Sequence, residues 1–124
     1  MAIIIQSTKF EKAISHDDAM VVELRENPEY AEIYLQTALE DIYEEGGIAA
    51  FLTALRRVVE ARGGVGEIAK KSGLSRQQLY RTLSENGNPT LTTLTEITRA
   101  AGVRLIPLLT IIKNMSSSQS RIKA

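Results

Sequence analysis

Between residues 28 and 45, Ala31, Leu35, Ala38 and Ile42 recur at intervals of four, three and four. That spacing puts four apolar side chains on one face of an α-helix, which turns once every 3.6 residues. Glu29, Glu32, Glu40 and Glu44 fall largely away from that face, and Tyr30 and Tyr34 form a second pair four apart. Asn27-Pro28 is a break and a new start, with Pro in the first turn, and Gly46-Gly47 closes the segment. The next stretch carries the strongest pattern. Ile48, Phe51, Leu52, Leu55, Val58 and Val59 trace one stripe, ended by Arg62 and Gly63-Gly64. Two short helices follow, over 65–71 and 75–84, with Ser72-Gly73-Leu74 between them. Asn86-Gly87-Asn88-Pro89 predicts a turn. Leu91, Leu94, Ile97 and Ala101 then mark a helix capped by Thr90 and stopped by Gly102.

The ends are less regular. A short helix is expected over 19–25, and Ile3 to Ile5 could be a strand. Residues 103–106 favour β structure, which predicts a short C-terminal strand that Pro107 ends or confines to an edge. Residues 115–124, with four serines, read as a flexible tail. The expected class is all-α. Residues 1–46 are expected to form an acidic helical extension for partner binding, 47–106 a helical domain, which the pattern below reads as a DNA-binding helix-turn-helix, and 107–124 an apolar segment and flexible tail.

The chain has 124 residues, 44% hydrophobic and 24% charged, which suits one globular domain with an N-terminal arm. No apolar run approaches the roughly 20 residues that span a bilayer. The start lacks the basic and apolar regions of a secretion signal. The absence of cysteine excludes disulfide and thiol chemistry and fits a reducing cytoplasm.

Net charge is zero, but the sum hides an asymmetry. Residues 1–50 hold eleven Asp/Glu and three Lys/Arg, a net of −8; residues 51–124 hold twelve Lys/Arg and four Asp/Glu, a net of +8. A basic half can meet phosphate. An acidic half either solvates itself or meets a basic protein. Candidates for such a partner face are Glu29, Tyr30, Glu32, Tyr34, Glu40 and Asp41; the alternative for the tyrosines is to cover neighbouring helices.

Catalytic patterns are poor. Gly66-Glu67-Ile68-Ala69-Lys70-Lys71-Ser72 superficially suggests a phosphate loop, but the second glycine is missing and a glutamate sits where phosphate would approach. The one histidine, His16, beside Asp17 and Asp18, suits a helix cap, and without cysteine it cannot build a usual zinc site. No catalytic residue, metal or cofactor is expected.

A helix-turn-helix fits better. Ala69 supplies the small residue where two helices touch, Gly73 the turn four residues on, and Leu74 its apolar anchor; Leu79 and Leu83 face the core. Ser75 caps the second helix and Gln78 completes a capping box. Ser75, Arg76, Gln77, Tyr80, Arg81 and Ser84 are left outward, with Lys70 and Lys71 beside them. Arg suits guanine, Gln adenine, and Lys backbone phosphate.

Residues 51–105 resemble the helix-turn-helix domains of the Xre, or lambda-repressor-like, family. The likeness rests on "IAKKSGLSRQQLYRTLSENGNPTLTTLTEITRAAGV". More narrowly, ARGG, GLSR, LYRTLSE and GNPT are similar to Xre-type addiction-module antidotes paired with RelE/HigB-like toxins, a resemblance covering roughly residues 26–106. It implies a lambda-repressor-like bundle that binds operator DNA as a homodimer, represses its own operon and neutralises a toxin. Residues 103–112 are the candidate dimer contact, with ordinary intrachain packing as the alternative. Thr82 stands where general Xre domains carry an apolar residue and Leu83 follows it, a shift that bears more on Tyr80 and Ser84 than on Arg76, Gln77 and Arg81. The other readings are a stand-alone regulator without a toxin, and an interaction module that does not bind DNA.

Overall fold

The computed structural model describes residues 17–105, which form an all-α fold. Helix α1 covers residues 17–26. It is followed by α2 (Pro28–Glu40), α3 (Gly47–Ala61), α4 (Val65–Ser72), α5 (Arg76–Thr82) and α6 (Leu91–Ala101). No strand occurs among the described residues, and no helix there is long and apolar enough to cross a membrane.

Every helix sends apolar side chains into one core. Leu24 of α1, Leu35 of α2, Leu52, Leu55, Val58 and Val59 of α3, Ile68 of α4, Leu79 of α5 and Ile97 of α6 are fully buried. Burying each such side chain stabilises the fold by about 1.5–3 kcal/mol before the cost of ordering it. Helix α2 packs along α3, and α4 packs against α3, α5 and α6. The acidic α1 and α2 therefore share a core with the rest of the chain.

Two polar clasps hold α1 and α2 to α3. The Arg57 Nε–H donates to Asp17 Oδ1 at 2.6 Å and its Nη1–H to the Tyr34 hydroxyl at 2.9 Å. The bond to Tyr34 leads the influences that raise the Arg57 pKa, against the opposite pull of burial, so the guanidinium stays charged. Further along, Arg62 Nη2–H donates to the Pro28 carbonyl at 3.1 Å. Sequence spacing gives no sign of these contacts, which join residues 40, 23 and 34 positions apart.

Several expectations change at the ends of elements. The helix beginning at Pro28 stops at Glu40 rather than near Glu45, and residues 41–46 turn back towards α3. Gly47 explains why. A Cβ there would overlap the Asp41 carbonyl oxygen and lie 2.7 Å from that of Ile42, so the turn closes directly over the first residue of α3. Ile48 continues the apolar stripe in sequence but is 59% exposed, because the turn covers Gly47 instead. Leu91 is 79% exposed in the first turn of α6.

The expected C-terminal strand is absent from residues 103–105. There the Val103 N–H donates to the Thr98 carbonyl at 3.0 Å and the Arg104 N–H to Glu32 Oε1 at 3.3 Å. The backbone donors a strand would need thus finish α6 and tie it to α2. Val103 is buried in the chain's own core and Leu105 packs against it. The strand expected at Ile3 to Ile5, the cap at His16, the rest of the proposed dimer segment and the tail lie outside the described residues.

Gly47→Ala tests the turn. Alanine's better helix propensity favours the variant by about 1 kcal/mol. Overlap with backbone oxygens outweighs that, so a net loss of about 2 kcal/mol or more is expected by urea denaturation. Unchanged stability would show that the turn does not close over Gly47.

Candidate functional site

The geometry of α5 begins with the end of α4. Gly73 adopts φ 76°, in the left-handed region that glycine enters without a Cβ penalty. This lets the Leu74 N–H donate back to the Ala69 carbonyl at 3.0 Å, while Leu74 packs against the core. The chain then restarts at once. Ser75 is extended, the Gln78 N–H donates to Ser75 Oγ at 3.0 Å, and the Ser75 N–H donates to Gln78 Oε1 at 2.9 Å. A helix stop and a helix start thus share three residues, which fixes the direction in which α5 leaves α4.

Leu79 and Leu83 anchor the inner side of α5 and are both buried. The helix ends at Thr82, whose hydroxyl donates to the Gln78 carbonyl at 2.7 Å, and Leu83 is its cap residue. Leu83 therefore reaches the core from the helix end, one turn on from Leu79, and its N–H still donates to the Leu79 carbonyl at 3.0 Å. Arg76, Gln77, Tyr80, Arg81 and Ser84 are all exposed on the outer side, with Tyr80 53% exposed. The Ser84 hydroxyl is engaged by the Arg81 carbonyl at 2.8 Å and that of Ser75 by the cap. Among the described residues, the side chains of Arg76, Gln77, Tyr80 and Arg81 form no hydrogen bond or ion pair.

Lys70 and Lys71 occupy the last turn of α4, a favourable place for cations, and both are exposed. The Lys71 Nζ lies 3.8 Å from Glu67, but both side chains are more than half exposed, so this pair competes weakly with phosphate. Lys70, Lys71, Arg76 and Arg81 thus flank the turn with positive charge, and a polar helix face stands between them.

The candidate acidic residues do not form one patch. Glu29 and Tyr30 line a groove at the elbow between α1 and α2, together with Glu23, Glu26, Asn27, Pro28 and Ile33. Ile33 is 58% exposed there. Glu32 accepts the Arg104 N–H, and Tyr34 is held by Arg57 while its ring lies 6.0 Å from that of Tyr30. Glu40 and Asp41 are exposed at the far end of α2, eleven or more residues from Glu29, or about 16 Å along the axis. Glu23, Glu26 and Ile33 escaped sequence reasoning because only the bend at Asn27-Pro28 sets them beside Glu29.

Residues 17–108 match the family model described as "probable addiction module antidote protein". A protein of Haemophilus influenzae, described only as uncharacterized, is 36% identical over 70 residues, spanning 56% of this chain and 71% of that protein. No solved structure matches the chain.

Removing the Ser75 hydroxyl by Ser75→Ala leaves the Gln78 N–H without its cap. The expected loss is about 1 kcal/mol in urea denaturation. A loss near zero would mean that packing alone orients α5.

Proposed function

The chain belongs to the family of probable addiction module antidote proteins, and on that premise we propose that it is a DNA-binding antitoxin. Helix α5 enters the major groove of operator DNA, Arg76, Gln77 and Arg81 read base edges, and Tyr80 packs beside them. Lys70 and Lys71 hold the flanking phosphates. The same chain represses its own operon and neutralises a RelE/HigB-like toxin. Two copies read paired half-sites, since a single short helix covers only part of one.

The observation that carries this reading is the orientation of α5. Its inner side is fixed by Leu79 and Leu83, its start is fixed by the Ser75–Gln78 box, and its outer side offers two arginines and a glutamine with no side-chain hydrogen bond or ion pair among the described residues. For the toxin, support comes from the opposite charge of the other half. Glu23, Glu26 and Glu29 stand around exposed Ile33 and form no ion pair among the described residues. A basic, partly apolar segment suits that groove.

Arg76→Ala is expected to weaken binding to the DNA upstream of the chain's own gene by about 1–3 kcal/mol, with little effect on an unrelated duplex. Lys70→Ala and Lys71→Ala should weaken both duplexes alike and flatten the salt dependence. Fluorescence anisotropy at two salt concentrations separates the cases, and unchanged upstream-DNA affinity in Arg76→Ala would refute base reading by that residue. For the partner, combining Glu23→Lys with Glu29→Lys should reduce affinity for the toxin encoded beside this gene by about tenfold or more. Both side chains are exposed, so the fold should survive. Full affinity in that variant, with loss in a Glu40→Lys/Asp41→Lys variant, would move the toxin site to the other end of α2.

A further inference from the structure

Gly66 lies in the first turn of α4 at an ordinary helical φ, so nothing in its backbone requires glycine. What distinguishes the position is its neighbour. A Cβ built on Gly66 would come within 2.7 Å of Arg76 Nη2 and 3.4 Å of both Cζ and Nε. All three nearest atoms thus belong to one guanidinium, laid against the bare backbone of α4. Arg76 forms no ion pair and no side-chain hydrogen bond among the described residues that would otherwise hold it.

We infer that Gly66 is a positioning residue: it forms a seat on α4 that holds the Arg76 guanidinium at the start of α5, and so sets which base pair Arg76 selects. The inference rests on the reading of Arg76 as a base reader. Its physical basis is preorganisation. A free arginine samples many rotamers, and a planar fork discriminates bases only when its two N–H edges arrive in a set direction. A flat surface without a Cβ confines the fork while leaving its donors unspent. Any larger residue at position 66 lifts the guanidinium off α4. Because the clashing atoms are the far end of a flexible chain, the fold can accommodate the change by moving that chain alone.

Glycine is also the poorer helix former, so Gly66→Ala should leave thermal stability equal or higher. This separates the seat from a structural role. The test is a double-mutant cycle with the full chain: wild type, Gly66→Ala, Arg76→Ala and both together, titrated by anisotropy onto the DNA upstream of the chain's own gene and onto an unrelated duplex of equal length. Gly66→Ala is expected to lower upstream-DNA affinity by about tenfold, part of what a good bidentate contact supplies. It should leave unrelated-duplex affinity within about twofold and add nothing when Arg76 is already alanine. An undiminished effect in the Arg76→Ala background would overturn the proposal, as would a Gly66→Ala protein that binds like wild type while Arg76→Ala does not. A second readout does not depend on DNA. In the labelled free protein, nuclear Overhauser contacts between the Gly66 α-protons and the Arg76 side chain are expected, and their absence overturns the seat. If wild type shows no preference for the upstream DNA, the base-reading assignment fails, and these contacts alone then decide whether the seat exists.

Discussion

Three residues, Gly73, Leu74 and Ser75, set the direction of α5, and the outer face of that helix is useful only in that direction. Gly73 bends the backbone into a region that a Cβ disfavours, Leu74 ties the bend to the core, and Ser75 starts the next helix with a reciprocal pair of hydrogen bonds. A longer or looser link would let α5 swing about Leu79. Here the stop of one helix and the start of the next leave no slack residue. Polar side chains on α5 therefore project from a rigid support, which is what recognition of a groove demands.

The second organising feature is electrostatic. Among the described residues, 17–50 carry ten Asp/Glu and one Lys/Arg, a net of −9, and 51–105 carry nine Lys/Arg and four Asp/Glu, a net of +5; helices from both stretches share one core. Asp17 and Tyr34 on the acidic side meet Arg57 on α3, so part of the asymmetry is neutralised internally. Lys70, Lys71, Arg76 and Arg81 flank the turn between α4 and α5, and Glu23, Glu26 and Glu29 line the elbow of α1 and α2. A single compact unit can in this way offer surfaces of opposite sign to two partners without their fields cancelling, since screening in physiological salt acts over about 8 Å.

Much of this was legible in the sequence, for identifiable reasons. Helix periodicity placed α2, α3 and α6, and cap chemistry placed Ser75, Thr90 and Gly102, whose roles the structure retains. These signals depend on neighbours within four residues. What periodicity could not say was whether another element reaches a given turn, and so Ile48 and Leu91 lie on the right stripe yet in solvent. Nor could it foresee that residues 41–46 fold over Gly47, or that Val103 completes α6 instead of entering a strand. At the candidate site, the outward set on α5 followed from the positions of Leu79 and Leu83. The groove at Glu23, Glu26 and Ile33, and the contact of Gly66 with Arg76, required the three-dimensional approach of different helices.

In the proposed function, α5 and the last turn of α4, rather than the acidic elbow, form the DNA-contacting surface. This assignment is tested most directly by titrating the isotopically labelled full chain with the DNA upstream of its own gene and following every backbone amide by NMR. The largest shifts are expected on Lys70, Lys71, Arg76, Gln77, Tyr80 and Arg81, with Glu23, Glu26 and Glu29 nearly unmoved. Shifts centred on α2, or no shifts at all at saturating DNA, would contradict it.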